Sequence, residues 1–193
     1  MDSANKPYQS NHQYDFEYLK ECSDIIGSHK IDINEEKILD LLQIKLRFPE
    51  GSIEVINQSG MVSNNFFNAK RFLIYEQWKR LHDLGFTTVI NDVLDLTAQL
   101  RELNQRLFKI KGSDTIANFY FSNGTDTRRP SFDPHQHDYD VIVKPLYGSC
   151  TWHVNDENFE ATPESVIVIP RFANHSVTAS PEKRLSLTVN LTA

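Results

Sequence analysis

Cysteine is nearly absent from this chain: Cys22 and Cys150 are the only two, far apart and outside any Cys-x-x-Cys pair. That excludes a disulfide-scaffolded secreted fold. Long hydrophobic runs are missing too. No stretch reaches the roughly 18 apolar residues of a membrane span, and the opening MDSANKPYQSNHQYDF has no apolar core for a signal peptide. The expectation is a cytoplasmic protein with no membrane partner. Basic residues are outnumbered, with 20 Lys and Arg against 26 Asp and Glu and a net charge of -6. A global field that binds nucleic acid is not expected, and the pair Arg128-Arg129 is the one candidate for a local basic patch. There is no internal repeat, low-complexity tract, or Pro- or Gly-rich linker to divide the chain.

What is present points to a folded protein with a β-rich half. Aromatic residues make up 11% of the 193 positions, with Phe twelve times and Tyr seven times. That suits strands or an aromatic-lined cavity and is far from a disordered composition. Residues 1–14 are polar and read as a disordered tail. The remainder, 15–193, reads as a single domain with a helical or mixed flank over 15–112 and a β-barrel core over 113–193.

In the flank, EEKILDLLQIKLRF after Asn34 places Ile38, Leu41 and Leu42 at helical spacing, and Pro49-Glu50-Gly51 makes a turn. SIEVIN (52–57) and FTTVIN (86–91) read as strands. Between them Phe72, Tyr75, Trp78 and Leu81 recur every three residues, predicting a helix stopped by Gly85. Leu96, Leu100, Leu103 and Leu107 predict another helix up to Gly112, capped by Asn91 or Asp92. After Gly112 the period changes. TIANFYF, DVIVKPLYG, TWHV, SVIVIP and LSLTVNL are short β-like runs separated by turns, the texture of a closed or sandwiched antiparallel sheet.

Three of the seven histidines stand in telling places. His135 and His137 are two apart on an expected strand, which sends both imidazoles to one side. His175 follows SVIVIPRFAN, a strand and a tight turn. Three imidazoles on rigid elements suit Fe, Zn, Ni or Cu and leave coordination positions open. His12, His29, His82 and His153 read as surface or packing residues. Cys150 reads as a buried free thiol.

The runs SFDPHQHDYDVIVKPLYGSCTW, ATPESVIVIPRFANHSV and LSLTVNLT, with GFTTVINDVLDLTAQLRELNQRLF leading into TIANFYFSNG, resemble the JmjC-type cupins. The likeness is to the ribosomal-oxygenase-like branch of the Fe(II)/2-oxoglutarate-dependent oxygenases, over about residues 85–192. The resemblance implies a mainly β, double-stranded β-helix (cupin, or jelly-roll) with the N-terminal helices packed outside it. It also implies Fe(II) as metal, 2-oxoglutarate as cosubstrate, and hydroxylation of a peptide, amino-acid or small-molecule substrate. His135 and His175 match the two iron-binding histidines. His137 stands where the family has an aspartate, and Cys150 where it has the lysine that grips the far carboxylate of 2-oxoglutarate. Asn118 matches an asparagine of the cosubstrate pocket, and Asn190 lies on the last strand where a polar pocket residue is common.

The missing lysine leaves the cosubstrate's anchor open. Arg184, which shares the parity of Asn190, is one candidate cation. Lys144 is another, if the strand breaks at Pro145, and Arg171 is expected to face solvent. Hydroxyl and amide donors from Tyr120, Thr151 and Asn118 form the alternative. Asp138 and Asp140 have the parity opposite to His137 and read as exposed or supporting groups. Two other functions stay in view: a three-histidine cupin dioxygenase independent of 2-oxoglutarate, and an inactive cupin-like binding protein. Homodimerisation is left open.

Overall fold

The computed structural model describes residues 12–44, 47–56, 61–63, 65–124, 133–178 and 181–192, with side chains from residue 16 onward. Of the expected tail, residues 1–11 lie outside the described residues, and His12 already begins a helix, α1 (His12–Ser28). Tyr18, Leu19, Cys22, Ile25 and Ile26 recur at intervals of one, three and four, and this stripe packs into the core. α2 (Glu35–Gln43) starts where Asn34 accepts a hydrogen bond from the Lys37 N–H, and it buries Ile38 and Leu42.

After β1 (Ile53–Ile56) and β2 (Val62–Ser63), the expected long helix is shortened to α3 (Tyr75–Asp83). Its presumed first turns are instead extended, with isolated bridges Phe67–Leu73 and Arg47–Phe72. The cause is Asn68, whose side-chain carbonyl accepts from the N–H groups of Lys70 (2.9 Å) and Phe72 (3.1 Å). A local asparagine turn of this kind competes directly with helix.

β3 (Thr87–Ile90) leads to a short 3-10 turn, Val93–Asp95, and then to α4 (Ala98–Lys111). Neither Asn91 nor Asp92 caps this helix; Thr97 does, accepting from the Leu100 N–H at 3.2 Å. Asp92 instead adopts a left-handed conformation before the 3-10 turn. Leu100, Leu103 and Leu107 are fully buried.

The β-rich half supplies β4 (Ile116–Ser122), β5 (Asp140–Tyr147), β6 (Cys150–Val154), β7 (Glu157–Ala161), β8 (Ile167–Ile169), β9 (His175–Thr178) and β10 (Arg184–Leu191). All pairings are antiparallel. A seven-stranded sheet runs β2-β1-β3-β4-β10-β5-β8, and a three-stranded sheet runs β7-β6-β9. This is the expected cupin-like jelly-roll, mainly β with few helices.

Strand β10 shows how the layers are built. Leu185, Leu187, Val189 and Leu191 point into the core shared with α1, α2 and α4. Arg184, Ser186, Thr188 and Asn190 point the other way, into a cavity toward the small sheet. Val141 and Val143 of β5 face that same side, in a second cluster with Cys150, Val154 and Val177. The helices therefore cover the outer face of the large sheet.

A bulge interrupts β5 against β10: Leu185 pairs with Tyr147 but Ser186 with Pro145, leaving Leu146 unmatched. Gly148, just beyond, has φ 70° and lies against the start of β10. A Cβ there would sit 2.0 Å from the Lys183 carbonyl oxygen, so only glycine lets the β5–β6 turn approach Arg184.

His82 carries a consequence for stability. It is 2% exposed, stacked between Trp78 (5.1 Å) and Phe121 (4.3 Å). Neither ring nitrogen has a hydrogen-bond partner among the described residues. Burial pushes its pKa from 6.5 down to about 4. Above pH 6.5 the ring is neutral in both folded and unfolded chains. Below it, the unfolded chain takes up a proton that the folded one refuses, so stability falls by about 1.4 kcal/mol per pH unit until about pH 4. Urea unfolding at pH 7.5 and 5.5 should show this loss, and His82→Leu should reduce it by about 1 kcal/mol relative to wild type.

Candidate metal centre

The segment before β5 is not part of that strand. His135 and His137 instead lie in an extended stretch that is joined to β9 by one bridge. The His135 N–H donates to the His175 carbonyl (3.0 Å) and the His175 N–H to the His135 carbonyl (2.8 Å). The expectation that both histidines sit on a strand is thus corrected, yet the period of two persists: residues 136 and 138 are exposed, while 135, 137 and 139 turn inward. One ring nitrogen from each of His135, His137 and His175 falls within 4.8 Å of the others. A metal ion held at about 2.1 Å would set such nitrogens roughly 3.0–3.4 Å apart, a spacing compatible with the span of this triad.

The rings are oriented from behind. His135 Nδ1 lies 2.8 Å from the Asp133 carbonyl and His175 Nδ1 2.9 Å from the Ala173 carbonyl. A carbonyl only accepts, so both Nδ1 atoms carry the proton and both Nε2 lone pairs are left for a ligand. His137 stacks on Tyr139 with centroids 4.7 Å apart. Burial, together with the neighbouring imidazoles, pushes the His137 pKa down. Burial does the same for His175, against its bond to Ala173. Neutral imidazole is the form that binds metal. Three neutral donors with fixed tautomers, facing a cavity, fit a divalent transition-metal ion.

The turn carrying His175 is held tightly. Asp140, 2% exposed, accepts from the Arg171 backbone N–H and from its guanidinium, both at 2.8 Å. The Phe172 N–H donates to the His137 carbonyl at 2.6 Å, and the Ala173 N–H to the Pro170 carbonyl at 3.1 Å. Phe172 itself has φ 63°, a left-handed conformation costing a non-glycine residue about 1–2 kcal/mol. Those bonds keep it there.

The cavity beside the histidines measures about 190 Å³, below the roughly 300–1,000 Å³ of drug-sized pockets. Of the six expected cosubstrate residues, Asn118, Tyr120, Arg184 and Asn190 line it. Asn118 accepts from the Asp92 N–H at 3.0 Å. Tyr120 has its hydroxyl pKa pushed up to about 12, by burial and by nearby Tyr139, against a hydrogen bond with Asn118. It stays a protonated donor. Arg184 is 5% exposed.

Lys144 and Thr151 are corrections. Lys144 Nζ donates to the carbonyls of Ile26 (2.9 Å), Gly27 (2.9 Å) and His29 (2.7 Å), closing the C-terminal end of α1 on the far face of the sheet. The bulge that was to turn it inward falls at Leu146, beyond it. Thr151 lies between Cys150 and Trp152, which face the barrel interior, so strand alternation turns it outward. Asp138 is exposed, and Cys150 is a buried free thiol. The cavity also takes Trp152, Ser176, Ser186 and Thr188. The parity that selects Arg184 and Asn190 also selects Ser186 and Thr188.

Comparison with known proteins agrees with this architecture. Residues 124–189, a minority of the chain, match the profile of the AraC-like ligand binding domain family. No curated protein sequence matches. Among solved structures, YcfD, a ribosomal oxygenase from Escherichia coli, superposes with a TM-score of 0.58 at 19% identity, covering 86% of this chain and 46% of that one. Its complex with cobalt and 2-oxoglutarate gives 0.55 at 19% identity, with the same coverage. Its complex with cobalt and succinic acid gives 0.54 at 18%, again with the same coverage. The chain spans less than half the length of these structures. At this identity the likeness is one of fold.

Two outcomes follow from the geometry. Elemental analysis of protein purified without chelator should find about one equivalent of transition metal, and His175→Ala should lower the affinity at least tenfold. Lys144→Met should leave metal content unchanged but lower the unfolding free energy by about 1–3 kcal/mol, because the α1 carbonyls lose their donor.

Proposed function

We propose that this chain is a non-haem Fe(II)/2-oxoglutarate-dependent oxygenase that hydroxylates a small-molecule, amino-acid or peptide substrate. In this reading residues 15–193 act as one cytoplasmic unit. Among the described residues no helix is long and apolar enough to cross a membrane. The observation that carries the proposal is that a three-imidazole group and a buried arginine open onto one small cavity. Bound Fe(II) would supply the redox chemistry with O2 that no side chain here provides. His135, His137 and His175 would hold it on one face through Nε2 of His135 and His175 and a ring nitrogen of His137.

A dicarboxylate needs its far end neutralised, because an unpaired buried charge costs several kcal/mol. Arg184 takes that role in place of the missing lysine, with Ser186 and the protonated Tyr120 hydroxyl as neighbouring donors. The cross-strand register puts Ser186 opposite Tyr120 and Thr188 opposite Asn118, so the donors form one patch. That YcfD has been crystallised with cobalt and 2-oxoglutarate supports carrying the same ligand class to this cavity.

A second reading is a three-histidine dioxygenase that needs no 2-oxoglutarate. It is favoured by the absence of a carboxylate from the triad: Asp138 is exposed and Asp140 is committed to Arg171. Substrate bound directly to the metal would then bring the negative charge.

Anaerobic titration of the Fe(II)-loaded protein with 2-oxoglutarate separates the two. The first reading expects a saturable visible charge-transfer band, weakened in Arg184→Ala by about 2 kcal/mol, or ~30-fold in affinity. No band at millimolar cosubstrate, in protein shown to hold iron, rejects it in favour of the second.

A further inference from the structure

Asp140 is an acid buried almost completely, yet it lines no part of the cavity and lies outside the histidine triad. Its two oxygens serve two different donors on one residue: Oδ1 takes the Arg171 backbone N–H and Oδ2 its guanidinium. Arg171 belongs to the turn between β8 and β9, four residues before His175. Asp140 itself opens β5, three residues after His137. The carboxylate therefore spans the two chain segments that carry the triad.

Other polar ties hold this corner: some run between the same segments or within the turn, and from the β6–β7 turn Asn155 Oδ1 accepts from the Asn174 N–H (3.1 Å) while the Asn155 N–H donates to the Asn174 carbonyl (2.7 Å). The Phe172 N–H goes to the His137 carbonyl, the Ala173 N–H to the Pro170 carbonyl, and His135 and His175 exchange both of their backbone bonds. The backbone bridge fixes how far apart the two strands lie. It fixes the register of His175 against His135 but not the path of residues 170–173 leading into it, which sets the angle at which the His175 ring enters. The grip of Asp140 on Arg171 is charge-assisted and acts on the 170–173 turn itself, and a carboxylate with both oxygens engaged is rigid.

We infer that Asp140 is a positioning residue: its carboxylate holds the 170–173 turn in register, so that His175 meets the same ion as His135 and His137. The inference rests on the metal-centre reading above. It assigns to Asp140 no contact with the ion or with substrate. Groups that orient metal ligands from behind typically carry 10–100-fold of metal affinity.

The test is Co(II) titration of the metal-free full chain, followed by its visible absorption, for wild type, Asp140→Asn, Arg171→Ala and His175→Ala. Asparagine keeps an acceptor for the Arg171 N–H but loses the charge that holds the guanidinium. Arg171→Ala removes the guanidinium alone, from a side chain that is 45% exposed, and so leaves the core intact. Asp140→Asn should bind Co(II) about 10–100-fold more weakly. Its Co(II) spectrum should move toward that of His175→Ala, while its far-ultraviolet circular dichroism stays that of wild type. Arg171→Ala should move in the same direction by less.

A merely structural acid would lower the unfolding midpoint and leave affinity and spectrum of the folded protein unchanged, and that result overturns the inference. Should Asp140→Asn fail to fold, Arg171→Ala decides alone, and unchanged affinity there overturns it. If the wild type binds no Co(II), the metal-centre reading falls and this inference with it. If the wild type binds and both variants match it, only the role of Asp140 falls.

Discussion

The reciprocal backbone bonds between His135 and His175 are what the remaining architecture of the site is hung on. Among the described residues they form the one β-bridge between the stretch feeding β5 of the large sheet and β9 of the small one. Two sheets that pack face to face through side chains can slide by fractions of an ångström. Two backbones that exchange hydrogen bonds at 2.8 and 3.0 Å cannot. Because the bridging residues are themselves the candidate ligands, the constraint acts at the site itself. Each ring is then fixed a second time by its Nδ1 bond to the carbonyl two residues earlier.

The second organising feature is the two-faced strand β10. Its odd-numbered residues complete the core under the helices, and its even-numbered residues form the polar wall of the cavity. Burying Arg184, Ser186 and Thr188 at 5–6% exposure costs more than burying valines would, unless partners exist. Thr188 Oγ1 and the Trp152 indole N–H have none among the described residues. A wall of this kind is a poor way to build a stable barrel and a good way to hold a polar ligand. Stability is supplied from the other face, where Leu185, Leu187 and Val189 are fully buried.

Strand parity was the most informative signal in the sequence. It favours Arg184 over Lys144, leaving Lys144 open only through a strand break at Pro145, and the structure places the bulge at Leu146, beyond Lys144. Leucine spacing and Gly112 likewise marked α4, and Asn34 marked α2. Parity leaves Asp138 and Asp140 as exposed or supporting groups and cannot say that Asp140 is buried, because that face of β5 is covered by α1. The helix α1 has an apolar stripe of its own, lost beside the polar residues that precede it. The shortened α3 was illegible for a different reason. A threefold apolar period favours helix on average, whereas a single asparagine carboxamide captured two backbone N–H groups and ended the competition locally.

The charge balance of the cavity joins these observations. Three imidazoles contribute no negative charge, the downward pKa shifts of His137 and His175 keep those two from adding positive charge near neutral pH, and Arg184 is a fixed cation. A divalent ion at the triad would therefore bring the cavity to about three positive charges. At a local dielectric well below that of water, positive charge gathered there favours an anionic occupant. Asp140 cannot serve, since its charge is spent on Arg171, and Asp138 faces solvent. The neutral triad thus transfers to the ligand a role that a carboxylate in the metal's own coordination shell would otherwise play. It makes metal and anion binding mutually reinforcing: whichever arrives first lowers the electrostatic cost of the other.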